Sequence, residues 1–278
     1  RILEQFSDEH GSDTSQLSAQ HDNTTLRRMV RGVTDYILSV ESVQSGPDER
    51  ATLMQRAYGE LFGFGPLDML FANPQITTIA LEGTEKISVR YGPGAELTTL
   101  DPIFEDGFHL QRIIRRLLSA AQAELRDDQP IVEARFHYQG RPISISLISP
   151  PLTLELTADI RLHPARPVTL DDTITSGTLT PKAAQLLRAL AASEHGVIIV
   201  GDTESGKTTL LGALAQALPN PDSIIAIERA GEMHLPDAIR QRVVRWPLGD
   251  KDGISFAACI NSALDDGPAC ILLDEVRA

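Results

Sequence analysis

Val197-Ile198-Ile199-Val200-Gly201-Asp202-Thr203-Glu204-Ser205-Gly206-Lys207-Thr208-Thr209 decides the class of the second half of this chain. Gly201 through Thr208 fill the pattern G-x-x-x-x-G-K-[ST], a loop whose backbone N–H groups cradle phosphate. Four β-branched apolar residues before it read as a buried strand, and Leu210-Leu211-Gly212-Ala213-Leu214 behind it reads as a helix. Glycines let the loop curl, and the N-terminus of the following helix adds its dipole to the attraction for an anion. Gly201, Asp202, Thr203, Glu204, Ser205, Gly206, Lys207, Thr208 and Thr209 are therefore the expected phosphate-binding set. Lys207 reaches for the β- and γ-phosphates, and Thr208 offers its hydroxyl to Mg2+. The plainer alternative is a Gly-rich turn before a core helix.

Composition narrows the field. A chain of 278 residues suggests about two domains, and 42% hydrophobic residues can bury a full core. A net charge of −13 argues against a nucleic-acid-binding surface. Lysine occurs only at Lys86, Lys182, Lys207 and Lys251, so one inside the phosphate loop carries weight. Cys259 and Cys270 sit in apolar surroundings without metal-ligand spacing and read as reduced core thiols of a reducing compartment. No apolar run approaches the ~18 residues that span a bilayer, and no signal peptide opens the chain. A chain that begins at Arg1 and stops at Ala278, just after an apolar strand, reads as a fragment.

Working outward from the loop, residues 1 to about 22 are polar and expected to be mobile, with Ile2, Leu3 and Phe6 able to anchor one helical turn. Helical spacing predicts helices over Thr24–Val43 and Pro47–Leu61. A short helix follows at Leu67–Phe71, then a hairpin from Thr77–Gly83 and Lys86–Tyr91. Phe108–Ala123 carries Leu110, Ile113, Ile114, Leu117 and Leu118 on one face, an amphipathic helix. Ile131–Phe136, Ile143–Ile148 and Leu152–Arg161 read as strands, giving an α+β unit from about 60 to 163. His163-Pro164-Ala165-Arg166-Pro167 is a stiff linker. Beyond it come helices over Leu170–Thr175 and Pro181–Ala192, strands over Ser223–Glu228, Arg242–Trp246 and Ala269–Glu275, and a helix over Ile254–Leu264. Strands alternating with helices predict a parallel, doubly wound sheet. The expected division is 1–60, 61–163, a linker at 164–168, and 169–278.

Acids complete the chemistry. A phosphate loop needs a carboxylate at the end of a neighbouring apolar strand to order Mg2+ through water, and a group that positions the attacking water. Asp274 and Glu275 end one apolar strand and Glu228 ends another; Glu232 is a weaker candidate. Arg135, Arg141, Arg161 and Arg166 precede the loop unit, where a charged strand residue is ordinarily a solvated face.

These residues together resemble the secretion ATPases of type II and type IV machines, in particular the branch that assembles tight-adherence (Flp) pili. The resemblance runs from about Gly63 to Ala278. Its marks are Gly63-Phe64-Gly65-Pro66-Leu67, Ile76-Thr77-Thr78-Ile79, Ala134-Arg135-Phe136, Gly140-Arg141-Pro142-Ile143, Pro150-Pro151, Ile160-Arg161 and Val168-Thr169-Leu170-Asp171-Asp172. They continue with the phosphate loop, the acidic box Ile227-Glu228-Arg229-Ala230-Gly231-Glu232-Met233-His234-Leu235, and Leu273-Asp274-Glu275-Val276-Arg277.

The resemblance implies an α/β fold: N-terminal helices, an α+β sensing domain, and a RecA-like P-loop NTPase domain truncated after the Walker B strand. It implies a cytoplasmic homo-hexamer at the inner membrane, ATP with Mg2+ between the two domains, and an inner-membrane platform protein as partner. It gives Glu228 the attacking water, Glu275 the Walker B role beside Asp274, and Arg141 and Arg161 the phosphate clamp. Departures are Arg229 and Asp274 where the family has Asp and Gly, acids at Asp265 and Asp266 in a stretch that is basic in the family, and Asp202 and Glu204 in the loop. They keep a second reading open, a degenerate nucleotide-binding or structural ring subunit with little or no hydrolysis. A generic P-loop kinase is a third, in which the first sheet would have no role.

Overall fold

Polar as its first residues are, the chain begins in helix. The computed structural model describes residues 1–11, 13–92, 94–126, 128–193, 195–202, 205–228, 233, 235–236, 238–243 and 256–274. Helices α1 (Ile2–His10), α2 (Thr14–Gln20), α3 (Asn23–Val40) and α4 (Pro47–Phe62) pack together at the N-terminus. Asp22 caps α3 by accepting the Thr25 N–H at 2.8 Å. Pro47 opens α4, where its missing N–H costs nothing, and Asp48 and Glu49 suit the positive end of the helix dipole. The expectation of a mobile segment before residue 22 is corrected here. Phe6 is fully buried with Val30, Val33, Ala57 and Leu61, its ring meeting Phe62 edge-on at 5.6 Å, which anchors α1, and Leu17 of α2 packs against the same cluster.

The next elements are α5 (Leu67–Ala72), β1 (Ile76–Glu82), β2 (Lys86–Tyr91), β3 (Leu97–Leu100), α6 (Gly107–Ala120), β4 (Ile131–Tyr138), β5 (Arg141–Ile148) and β6 (Thr157–Leu162). They form an antiparallel sheet in the order β3-β2-β1-β6-β5-β4. Ile143, Ile145 and Leu147 alternate inward on β5, as Ala158, Ile160 and Leu162 do on β6, and the apolar stripe of α6 joins the same core. Tyr138 pairs with Arg141 across Gln139 and Gly140, both at positive φ, the two-residue turn that matches strand twist. The last strand begins at Thr157, five residues later than its sequence pattern suggests. Residues 151–155 turn instead, leaving Leu152 and Leu154 exposed.

Asp68, near the start of α5, gives this region a pH dependence. Burial pushes its carboxyl up to about 6, although the Phe64 N–H at 3.0 Å and the Tyr138 hydroxyl both donate to it. The folded state therefore binds a proton that the unfolded chain has already lost, so stability falls as pH rises from about 4 to about 6. Asp68→Asn should remove about 1–2 kcal/mol of that fall, a figure reduced for a carboxyl that is partly exposed. Chemical unfolding at a series of pH values checks it; parallel curves for parent and variant contradict it.

After residue 163 the pattern changes to α7 (Leu170–Thr175), α8 (Pro181–Ala191), α9 (Lys207–Ala215), β7 (Ile224–Glu228), β8 (Arg240–Val243), α10 (Phe256–Asp265) and β9 (Cys270–Leu273). The order β8-β7-β9 is parallel throughout, and every residue of β7 is buried, as a central parallel strand requires. Leu211 and Ala215 of α9 pack with Ile224 and Ala226, whereas Cys259, Ile260 and Ala263 of α10 pack with Ile225 and Ile227. Successive β7 side chains thus meet helices on opposite faces, the layering of a doubly wound sheet. Burial raises the pKa of the Cys270 thiol, and both cysteines are free.

One expectation fails here. Val197–Val200 is not a buried strand among the described residues: Ile198 and Val200 are 88% and 87% exposed. The described parallel sheet has three strands, β8-β7-β9, and residues 197–200 join neither of its outer edges. Only Ile199 packs inward, against the cluster of Leu170, Ala213 and Leu214. The end of the expected Arg242–Trp246 strand and the start of the expected Ile254–Leu264 helix lie outside the described residues.

Candidate phosphate-binding site

Two glycines shape the loop, for different reasons. Gly206 sits at φ 88°, ψ 16° where the chain turns into α9, a conformation that costs glycine nothing. A Cβ on Gly201 would stand 2.6 Å from Ser205 Oγ, so close approach excludes any larger residue unless Ser205 moves. The Asp202 carbonyl accepts from the Ser205 N–H at 3.2 Å and from Lys207 Nζ at 2.6 Å, so the ammonium folds back across the loop. The first turn of a helix leaves its N–H groups without intrahelical acceptors, and here that turn is Lys207-Thr208-Thr209. Amides, dipole and ammonium all favour an anion at one place.

A cavity of about 230 Å³ lies against that turn. Gly206, Lys207, Thr208, Thr209 and Gly212 form one wall; Arg161, His163, Pro164, Arg166 and Val168, from the end of β6 and the segment after it, form the other. The loop and the sheet unit thus meet across one space. Its described walls hold Arg161, Arg166 and Lys207 and no carboxylate, in a chain of net charge −13.

The segment after β6 that forms this second wall is tied at both ends. His163 donates its N–H to the Pro142 carbonyl at 2.9 Å, and its Nε2 lies 2.7 Å from Ser144 Oγ. At the other end Gln216 Nε2 of α9 donates to the Val168 carbonyl at 2.7 Å. Between them, Arg166 makes a two-pronged pair with Asp172, NH1 to Oδ2 at 2.9 Å and NH2 to Oδ1 at 2.8 Å. Asp172 also accepts from the N–H and hydroxyl of Thr169, and these donors, Arg166 foremost, hold its carboxyl well below the usual range. Arg161 keeps Asp159 3.5 Å from its Nε.

Arg141 is placed elsewhere. Its Nε donates to the His163 carbonyl at 3.1 Å, NH1 to the carbonyls of Phe71 at 3.2 Å and Asn73 at 2.8 Å, and NH2 to the Ile76 carbonyl at 2.6 Å. It is not a wall of the cavity by the loop. The guanidinium fan joins α5, β1, β5 and the residue after β6, a long-range role that its sequence position gave no sign of.

Glu228 and Asp274 stand at the carboxyl ends of adjacent parallel strands, the edge where such sheets bind ligands. The Asp274 N–H reaches the Ile227 carbonyl at 3.3 Å. Glu228 is fully buried, and its Oε2 accepts from the Met233 N–H at 2.7 Å. Neither lines the cavity. Thr203, Glu204, Arg229, Glu232 and Glu275 lie outside the described residues. Sequence reading weighed Arg166 only as one of four arginines, and it missed the Asp172 pair and the Gln216 tie. The signal available was a lone arginine between Pro164 and Pro167, six residues before an acid at a helix start.

The sequence family of type II/IV secretion system proteins matches residues 64–278. A Mycobacterium tuberculosis protein whose name assigns it to conjugal transfer is 27% identical over 228 residues, 78% of this chain and 63% of its own length. The type IV secretion system protein VirB11 of Brucella suis is 26% identical over 261 residues, 83% of this chain and 70% of its own. A solved structure of the pilus retraction motor PilT with bound ADP covers 73% of this chain and 57% of its own at 19% identity, with a TM-score of 0.49.

Proposed function

The chain belongs to the type II/IV secretion system protein family, and from that premise we propose that it is an ATP-binding, ATP-hydrolysing motor subunit of a secretion or pilus-assembly machine. The observation that carries this reading is the cavity that puts Lys207, Arg161 and Arg166 around the first turn of α9 in an otherwise acidic protein. A polyphosphate there would replace the Asp202 carbonyl as the partner of Lys207, and the α9 amides would hold its oxygens. Thr208, which lines the cavity, and Asp274, which ends the adjacent strand β9 outside it, are the described residues that this reading assigns to Mg2+. A hydroxyl and a carboxylate, completed by water and phosphate, suit that ion better than an all-protein cage, and no cluster of three or more metal-ligating side chains occurs among the described residues. Bound there, Mg2+ would neutralise charge on the phosphate oxygens.

The division into 61–163 and 169–278, joined by 164–168, belongs to the same reading. Its support is the pinning of His163 to β5 and of Val168 to α9, which leaves the proline-flanked segment between them to carry relative motion. Assembly as a hexameric ring, an inner-membrane platform protein as partner and the tight-adherence branch extend it further. Among the described residues no helix is long and apolar enough to cross a membrane.

Glu228 is the group we assign to the attacking water. Glu228→Gln in the full-length protein should leave Mg-ATP binding within a few-fold and lower turnover about a hundredfold or more. Unchanged turnover would remove Glu228 from the mechanism. The second reading, a subunit that binds nucleotide without hydrolysing it, draws on the full burial of Glu228 and its commitment to Met233. Binding without turnover by the oligomeric parent protein would establish that reading instead.

A further inference from the structure

Resting on the reading of the cavity as a polyphosphate site, we propose that Arg166 is a stored phosphate ligand, held by Asp172 until a nucleotide enters and then exchanging that carboxylate for phosphate. Three observations and one general argument carry it. Arg166 lines the cavity with Lys207, yet its guanidinium is held by one acid on α7. The pair is two-pronged but open to water, with Arg166 73% and Asp172 32% exposed, so solvent and salt screen it and an incoming anion can reach the guanidinium. A polyphosphate carries several charges against one, and planar arginine binds phosphate as readily as carboxylate.

The third observation is what Arg166 leaves behind. Asp172 keeps the N–H of Thr169 at 2.9 Å and its hydroxyl at 2.8 Å, so the start of α7 survives the exchange. What changes is the linker. Arg166 lies between Pro164 and Pro167, on a segment pinned at His163 and Val168. With Arg166 on Asp172 the linker is tied to α7; with Arg166 on phosphate it is tied to the contents of the loop. Occupancy of the cavity is thereby reported to the segment that joins the two halves.

Equilibrium binding of a fluorescent, slowly hydrolysed ATP analogue with Mg2+ to the full-length protein tests this as a double-mutant cycle. Arg166→Ala should weaken binding about tenfold, the loss of one charge-assisted contact. Asp172→Asn, which keeps an oxygen for Thr169, should tighten binding about threefold or more by releasing the arginine. In the Arg166→Ala background the same Asp172 change should alter binding by less than about twofold. Weaker binding by Asp172→Asn, or tightening that persists without Arg166, overturns the exchange. Lys207→Ala separates the two levels. If it leaves binding intact, the cavity is not a phosphate site and the functional reading fails; if it weakens binding while Arg166→Ala does not, only the inference fails.

Discussion

Lys207→Ala should lower Mg-ATP turnover of the full-length protein by about two to three orders of magnitude and weaken nucleotide binding by at least about tenfold, the scale of removing one preorganised charge from a developing anion. The lysine has no second role to confuse the result. Among the described residues its ammonium reaches only the Asp202 carbonyl of its own loop, and its chain belongs to no apolar cluster there. Thermal unfolding of the variant should therefore match the parent. Turnover within a few-fold of the parent would show that the phosphates sit elsewhere.

Arg141→Ala should act on stability instead. Truncation strips one or more donors from the carbonyls of Phe71, Asn73, Ile76 and His163, which lie up to 70 residues away in the chain. Hydrogen bonds from a charged donor contribute about 1.5–3 kcal/mol each, and the loss is not additive once water enters; about 3 kcal/mol overall is expected. Arg141→Lys should recover little, because a single ammonium cannot serve four carbonyls spread around a planar fork. Urea unfolding measures the loss directly. A variant that keeps parental stability and loses nucleotide binding would restore Arg141 to the phosphate clamp that the family resemblance assigns.

Legibility followed the range of the interaction. The Gly206-Lys207 turn into α9 could be read because its determinants lie within a few residues: a left-handed glycine, an ammonium and the N–H groups of a first helical turn. Amphipathic α6 and the β1–β2 hairpin were equally local, since 3.6- and 2-residue periods are written in the residues themselves. Val197–Val200 shows the limit. Four apolar β-branched residues state a preference for a sheet, but pairing is decided by long-range packing that the local residues do not carry, and residues 197–200 join neither outer edge of β8-β7-β9.

The two short helices before residue 22, α1 and α2, were missed for a related reason. Composition said mobile, whereas the burial of Phe6 against α3 and α4 decided order from 20 to 60 residues away. In the site, the loop was legible, and of its opposite wall Arg161 alone was assigned to phosphate, through the family resemblance. Whether an arginine touches phosphate, carbonyls or a carboxylate depends on where β5, β6 and the linker bring it. Arg141, Arg161 and Arg166 have three different fates despite the same side chain.

The central claim is that nucleotide phosphates lie between the first turn of α9 and the arginine-bearing wall beyond β6. A structure of the full-length protein with Mg2+ and a non-hydrolysable ATP analogue tests it most directly. The claim predicts phosphate oxygens in contact with Lys207 and the α9 amides on one side and with Arg161 on the other. Nucleotide bound elsewhere, or a cavity still without phosphate at saturating analogue, would contradict it.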